Sequence, residues 1–168
     1  MAVCKDVFVD EEELVAAFFE RLAGGETAWE VQGAVREFDY NSGHTDVLFL
    51  STNGELIAVE AKLTNWRKAL HQAWRNTSYV NRAYVVMPRN RATTALSHRQ
   101  HFEDLGVGLC LVDRAGVEVA IEGQPKQPVI LWLHNKAMGA LAAHGGGSDR
   151  GIGTHDLPAV PLRLRTAV

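Results

Sequence analysis

The chain has 168 residues, 46% hydrophobic and 22% charged, with a net charge of −3; this is the composition of one globular domain with a full core and excludes a general nucleic-acid coat protein. No apolar run approaches the ~18 residues of a membrane span, and the opening MAVCKDVFVD lacks the unbroken apolar core of a secretion signal. Two scattered cysteines, Cys4 and Cys110, exclude a disulfide framework or a zinc site, so a reducing, cytoplasmic setting is expected.

In chain order, Asp10 to Leu22 predicts an amphipathic helix with Leu14, Val15, Phe18 and Leu22 on one stripe, capped by Asp10 and ended by Gly24-Gly25. Thr27–Phe38 and Asp46–Thr52 are predicted strands, joined by the turn Asp39-Tyr40-Asn41-Ser42-Gly43. Asn53-Gly54 marks a hairpin into a third strand, Leu56–Lys62. Thr64 or Asn65 caps a helix running to about Ser78, with Trp66, Leu70, Ala73, Trp74 and Thr77 expected to be buried. A short strand Ala83–Met87 stops at Pro88; a helix Ala92–Leu105 and strands Val107–Val112 and Val117–Ile121 follow. Residues 1–122 are expected to form the main domain. Residues 123–144 form a linker (Gly123 to Pro128) and a C-terminal helix packing on the core, and 145–168 a Gly- and Pro-rich tail.

Charge is unevenly distributed. Residues 1–60 hold thirteen Asp and Glu against three Lys and Arg. From Ala61 to Phe102 there is no acid, but eight basic residues: Lys62, Arg67, Lys68, Arg75, Arg82, Arg89, Arg91 and Arg99. Such a pattern suits a metal site beside a phosphate-binding wall, and equally a basic surface without a partner.

The acids of the hairpin are the most informative. Side chains alternate along a strand, which places Glu60 and Lys62 on one face. A two-residue Asn-Gly loop sets Asp46 opposite Ala61; a three-residue loop Thr52-Asn53-Gly54, with Gly54 left-handed, sets Asp46 opposite Glu60. The second register is favoured. It brings two carboxylates together, which repel unless a cation lies between them, and it suits a hard divalent metal. The carbonyl of Ala61 offers a third oxygen. A metal so held, with Lys62 nearby, has the parts needed to hydrolyse a phosphodiester.

Asp46, thirteen residues, then Glu60-Ala61-Lys62 resembles the D-xn-E-x-K signature of the PD-(D/E)xK, restriction endonuclease-like nucleases, with Thr45 where many members have proline. The segments FDYNSGHTDVLFL and ELIAVEAKL are similar to those of Holliday-junction resolvases and Mrr-like nucleases. The resemblance covers about residues 10–122. It implies an α/β fold with an αβββαβ core, a central mixed sheet flanked by helices. It also implies a DNA-cleaving enzyme of repair, recombination or restriction using Mg²⁺ or Mn²⁺, with a homodimer as a further expectation. Catalysis then falls to Asp46, Glu60 and Lys62, and the metal to Asp46, Glu60, Ala61 and a first-helix acid. Glu11 is the best match for that acid, with Glu12, Glu13 and Glu20 as rivals. Gln72 resembles a glutamine of helicase-associated nucleases, although Asn76 stands where they carry a tyrosine. Arg67, Lys68, His71, Gln72 and Arg75 are the expected nucleic-acid contacts, and His44 is a turn residue. The alternative is a domain of this fold that binds nucleic acid or a protein without cutting.

Overall fold

The computed structural model describes residues 8–145; the tail expected from Gly145 onward lies, beyond that residue, outside them. The element order is α1 (Glu11–Ala23), β1 (Val31–Asp39), β2 (His44–Ser51), β3 (Leu56–Ala61), α2 (Trp66–Asn76), β4 (Arg82–Pro88), α3 (Thr93–Ser97), α4 (Arg99–Leu105), β5 (Gly108–Val112), β6 (Val117–Ile121) and α5 (Leu131–Gly145). The strands form one six-stranded mixed sheet in the order β1-β2-β3-β4-β5-β6. Its hairpins β1-β2, β2-β3 and β5-β6 are antiparallel, and β3-β4 and β4-β5 are parallel. Parallel neighbours need crossovers, and α2 and the α3-α4 pair supply them.

Helices cover both faces. Leu14, Val15, Phe18 and Leu22 of α1 pack on Val47, Phe49, Ile57, Val59, Tyr84 and Val86. The opposite face, with Leu48, Leu56, Ala58, Val85 and Met87, is covered by α2, by Ala95 and Phe102 of α3 and α4, and by Leu133, Ala137 and Leu141 of α5. Strands buried on both faces explain the continuous apolar runs of β3 to β5.

The caps follow local chemistry. Asp10 accepts from the Glu13 N–H at 2.8 Å, and Asn65 rather than Thr64 caps α2, accepting from the Lys68 N–H at 3.1 Å. The β2-β3 turn is the three-residue one. Ser51 and Glu55 close it, the Gly54 N–H donates to the Ser51 carbonyl at 3.0 Å, and Gly54 has φ +86°.

Several expectations need correction. The first strand begins at Val31, not Thr27; the preceding Trp29 instead packs its ring on Phe49 and Tyr84. The predicted helix Ala92–Leu105 is two helices, broken at His98, whose φ −108° and ψ 29° are not helical. Helix α2 ends at Asn76, and α5 begins at Leu131 rather than Val129. Trp74 is 45% exposed, not core: α2 meets the sheet through Trp66, Ala69, Leu70, Ala73 and Asn76, and Trp74 falls off that stripe.

Candidate active site

The β2-β3 register pairs Val47 with Val59 and Leu48 with Ala58. Extended by one step, it sets Asp46 opposite Glu60. The backbone around Asp46 is distorted: between the pairs Arg36–Val47 and Phe38–Thr45, Glu37 takes φ 53°. This left-handed conformation costs a non-glycine residue about 1–2 kcal/mol. It also interrupts the alternation of β1, so that Val35 and Phe38, three apart, enter the same core. Strain beside a polar cluster is a feature of functional sites.

Glu60 is 1% exposed and faces α2, where its Oε1 accepts from Asn76 Nδ2 at 2.6 Å. Burial and, next, the charge of Asp46 raise its pKa to about 8; Asn76, Lys62 and Arg75 act the other way. Asp46 is half-buried, and its Oδ2 accepts from the Ala61 N–H at 2.7 Å. Burial lifts its pKa as well, against the Ala61 hydrogen bond and the charge of Lys62, with Glu11 and Glu37 adding repulsion. At neutral pH the pair therefore holds a proton on Glu60.

Lys62 follows the last residue of β3, so strand alternation no longer directs its side chain. Its N–H donates to the Val86 carbonyl, and its Nζ reaches Glu11 Oε2 at 2.5 Å, on the helix across the sheet from Asn76. The expectation that Glu60 and Lys62 share a face is thus modified at the sheet end, although the ammonium still acts on both carboxylates. Of the first-helix acids, Glu11 is the one beside Lys62. Glu12 binds Arg36 at 2.5 Å, and Glu13 accepts from the Val9 N–H at 2.6 Å.

The remaining predicted contacts lie along α2. Arg67, Lys68, His71 and Arg75 are exposed. Arg75 is near enough to act electrostatically on Glu60 and on Tyr40, and the Arg67 guanidinium lies 4.4 Å over the Trp66 ring. Gln72, expected as a nucleic-acid contact, is half-buried, and among the described residues its enclosed Oε1 has no hydrogen-bond partner. His44 is exposed at the start of β2, opposite Asp39.

Asn76 stands out in the sequence only as a departure from the resembling nucleases, and nothing there marks Glu37 or the burial of Tyr79 beside β2. Tyr79 is buried against the same end of β2 and shares a 2.7 Å hydrogen bond with Thr45. An amide at the last turn of the helix after the Glu-x-Lys strand was the available signal for Asn76.

Would these residues suit a divalent metal? Asp46, Glu60 and the Ala61 carbonyl are hard oxygen donors, and the mutual repulsion that lifts Glu60 is what a cation relieves. Among the described residues no group of three or more His, Cys, Asp and Glu is gathered around one point. The set that fits is two carboxylates and a carbonyl completed by water, with Glu11 engaged on Lys62.

No helix among the described residues is long and apolar enough to cross a membrane. No protein-family model matches the chain, and no curated protein does. Among solved structures, the chain is similar to SPO1766, a protein of unknown function from Silicibacter pomeroyi, at 15% identity and a TM-score of 0.59, covering 82% of this chain and 88% of that one. That likeness is one of fold. A repair endonuclease from Pyrococcus abyssi aligns at 20% identity and a TM-score of 0.44, over 66% of this chain and 50% of the other. Pyrococcus furiosus SfsA in complex with Ca²⁺ aligns at 15% identity and a TM-score of 0.39, over 67% and 64%. At those TM-scores neither bears on what this chain does; it adopts a mixed α/β fold shared with SPO1766.

Proposed function

We propose that the chain is a divalent-metal-dependent nuclease of the PD-(D/E)xK, restriction endonuclease-like type, hydrolysing DNA in repair, recombination or restriction. One observation carries this reading: Asp46 on β2 stands, by the ladder's register, opposite Glu60 on the neighbouring β3, its charge disfavours ionisation of the buried Glu60, and the Lys62 ammonium acts on both. Asp46, Glu60 and the Ala61 carbonyl are the residues that would hold Mg²⁺ or Mn²⁺. Bound there, the metal supplies Lewis acidity toward a phosphoryl oxygen and acidifies a water. Lys62 is the catalytic cation, placed to stabilise negative charge gathering on the phosphate or to orient the attacking water. Glu11 holds the Lys62 ammonium at the sheet end and is its positioning residue. Asn76 fixes the Glu60 carboxyl by its 2.6 Å hydrogen bond, and Ala61 N–H fixes that of Asp46.

A second reading is favoured by the depth of Glu60, 1% exposed and protonated at neutral pH: a nuclease-fold domain that binds nucleic acid or a protein without cutting. Incubation of the purified protein with single-stranded, duplex and branched DNA, with Mg²⁺, with Mn²⁺ and with chelator, decides between them. Cleavage confined to the metal-containing reactions is expected. Retention of DNA without cleavage in any of them overturns the enzymatic reading in favour of the second.

A further inference from the structure

The acid-free stretch does not stay free of acids once folded. Lys62 pairs with Glu11, Arg82 with Glu55 and Glu122, Arg89 with Asp113 and Glu118, and Arg99 with Glu103. Arg67, Lys68, Arg75 and Arg91 have no ion pair among the described residues. Two of these four, Arg67 and Arg91, line the same groove of about 470 Å³, together with Thr64, Asn65, Trp66 and Thr94. Among the described residues no carboxylate lines it. One wall comes from the start of α2, the other from the segment after β4, so two arginines far apart in sequence line one concavity. Arg67 is further oriented by its position 4.4 Å above Trp66, whose other neighbours include His98, at 4.9 Å between ring centroids. Two like charges converging on an open, acid-free groove repel until an anion lies between them. The planar guanidinium fork suits the oxygens of a phosphate, and the threonine hydroxyls add neutral donors.

The groove also lies near the carboxylate pair. Thr64 is four residues beyond Glu60, a span of at most ~14 Å of backbone. A strand with one phosphate at Asp46 and Glu60 would carry a neighbouring phosphate toward this groove. We propose that the groove between Thr64–Arg67 and Arg91–Thr94 is a second phosphate-binding subsite, taking a backbone phosphate of the nucleic-acid strand that flanks the bond to be cut. This rests on the nuclease reading and adds Arg91 to the binding surface.

The test is binding of a short fluorescein-labelled single-stranded DNA in chelator, where cleavage does not intervene, across a salt series. Arg91→Gln should lower affinity about tenfold and reduce the log–log salt slope by ~0.7; adding Arg67→Gln should reduce it by ~0.7 again. Arg91→Lys, which keeps the charge and guards against a folding defect, should restore most of the slope. Unchanged affinity and slope in both Gln variants, in a protein that still binds and cuts DNA, overturns the subsite and leaves the nuclease reading standing. Failure of the wild-type protein to bind DNA at all overturns both.

Discussion

Asn76 Nδ2 donates to Glu60 Oε1 at 2.6 Å, and both residues are only 1% exposed. This bond crosses from the last turn of α2 to the end of β3 and gives the buried carboxyl a hydrogen-bond donor. It also favours the ionised form of Glu60, against burial and Asp46. Asn76→Ala should therefore cost about 1–3 kcal/mol of stability and move the alkaline rise of metal-dependent cleavage to higher pH. Denaturant unfolding and a pH–rate profile measure the two effects. A stability loss with an unmoved profile would mean that Asn76 is merely structural.

The raised pKa of Glu60 makes a signed prediction about stability. Folded, the carboxyl holds its proton to about pH 8; unfolded, it releases it near its ordinary value of 4.5. Between those values the folded state binds more protons, so metal-free stability should fall as pH rises, by at most ~1.4 kcal/mol per pH unit. Glu60→Gln has no proton to lose. It should be more stable than wild type at pH 8, level with it only below about pH 4, and inactive. Melting temperatures of both proteins across this range check the divergence.

Metal binding should compete with that same proton. Below pH 8 a cation must displace it, so Mg²⁺ or Mn²⁺ affinity should rise by up to ~tenfold per pH unit and level off above it. Calorimetry in buffers of different ionisation enthalpy should find about one proton released per metal at pH 7. Affinity independent of pH would place the metal elsewhere.

Lys62→Ala should lower cleavage by ~10²–10³-fold while the protein stays folded, since the ammonium lies at the sheet end rather than in the core. Glu11→Gln, which frees Lys62 without removing it, should lower the rate less. Single-turnover cleavage rates and circular dichroism test both. Wild-type activity in Lys62→Ala would remove the lysine from catalysis.

Lys68 and Arg75 are exposed and unpaired among the described residues, and Arg75 acts on Glu60. Neutralising both should weaken duplex DNA binding about equally for all sequences and lower the salt slope by ~0.9 for each phosphate left without its cation. A salt titration of the double variant against wild type measures it. Unchanged slopes would move duplex binding to another surface.

Much of this was legible in local sequence because local chemistry determines it. The stripe of α1 follows from 3.6-residue periodicity, and its start from the Asp10 cap. The position of Asp46 relative to Glu60 follows from a turn whose glycine can take φ +86°. Periodicity, however, identifies a face without saying what covers it. The Asn76–Glu60 bond, the Lys62–Glu11 pair and the convergence of Arg67 and Arg91 join residues whose distance apart is set by crossovers and sheet order. Trp74 carries an apolar ring at helical spacing from Trp66, yet it is exposed because the sheet meets α2 one position farther round. Glu37 has no sequence signal for a left-handed backbone; that conformation exists because the ladders on either side of it hold the chain in place.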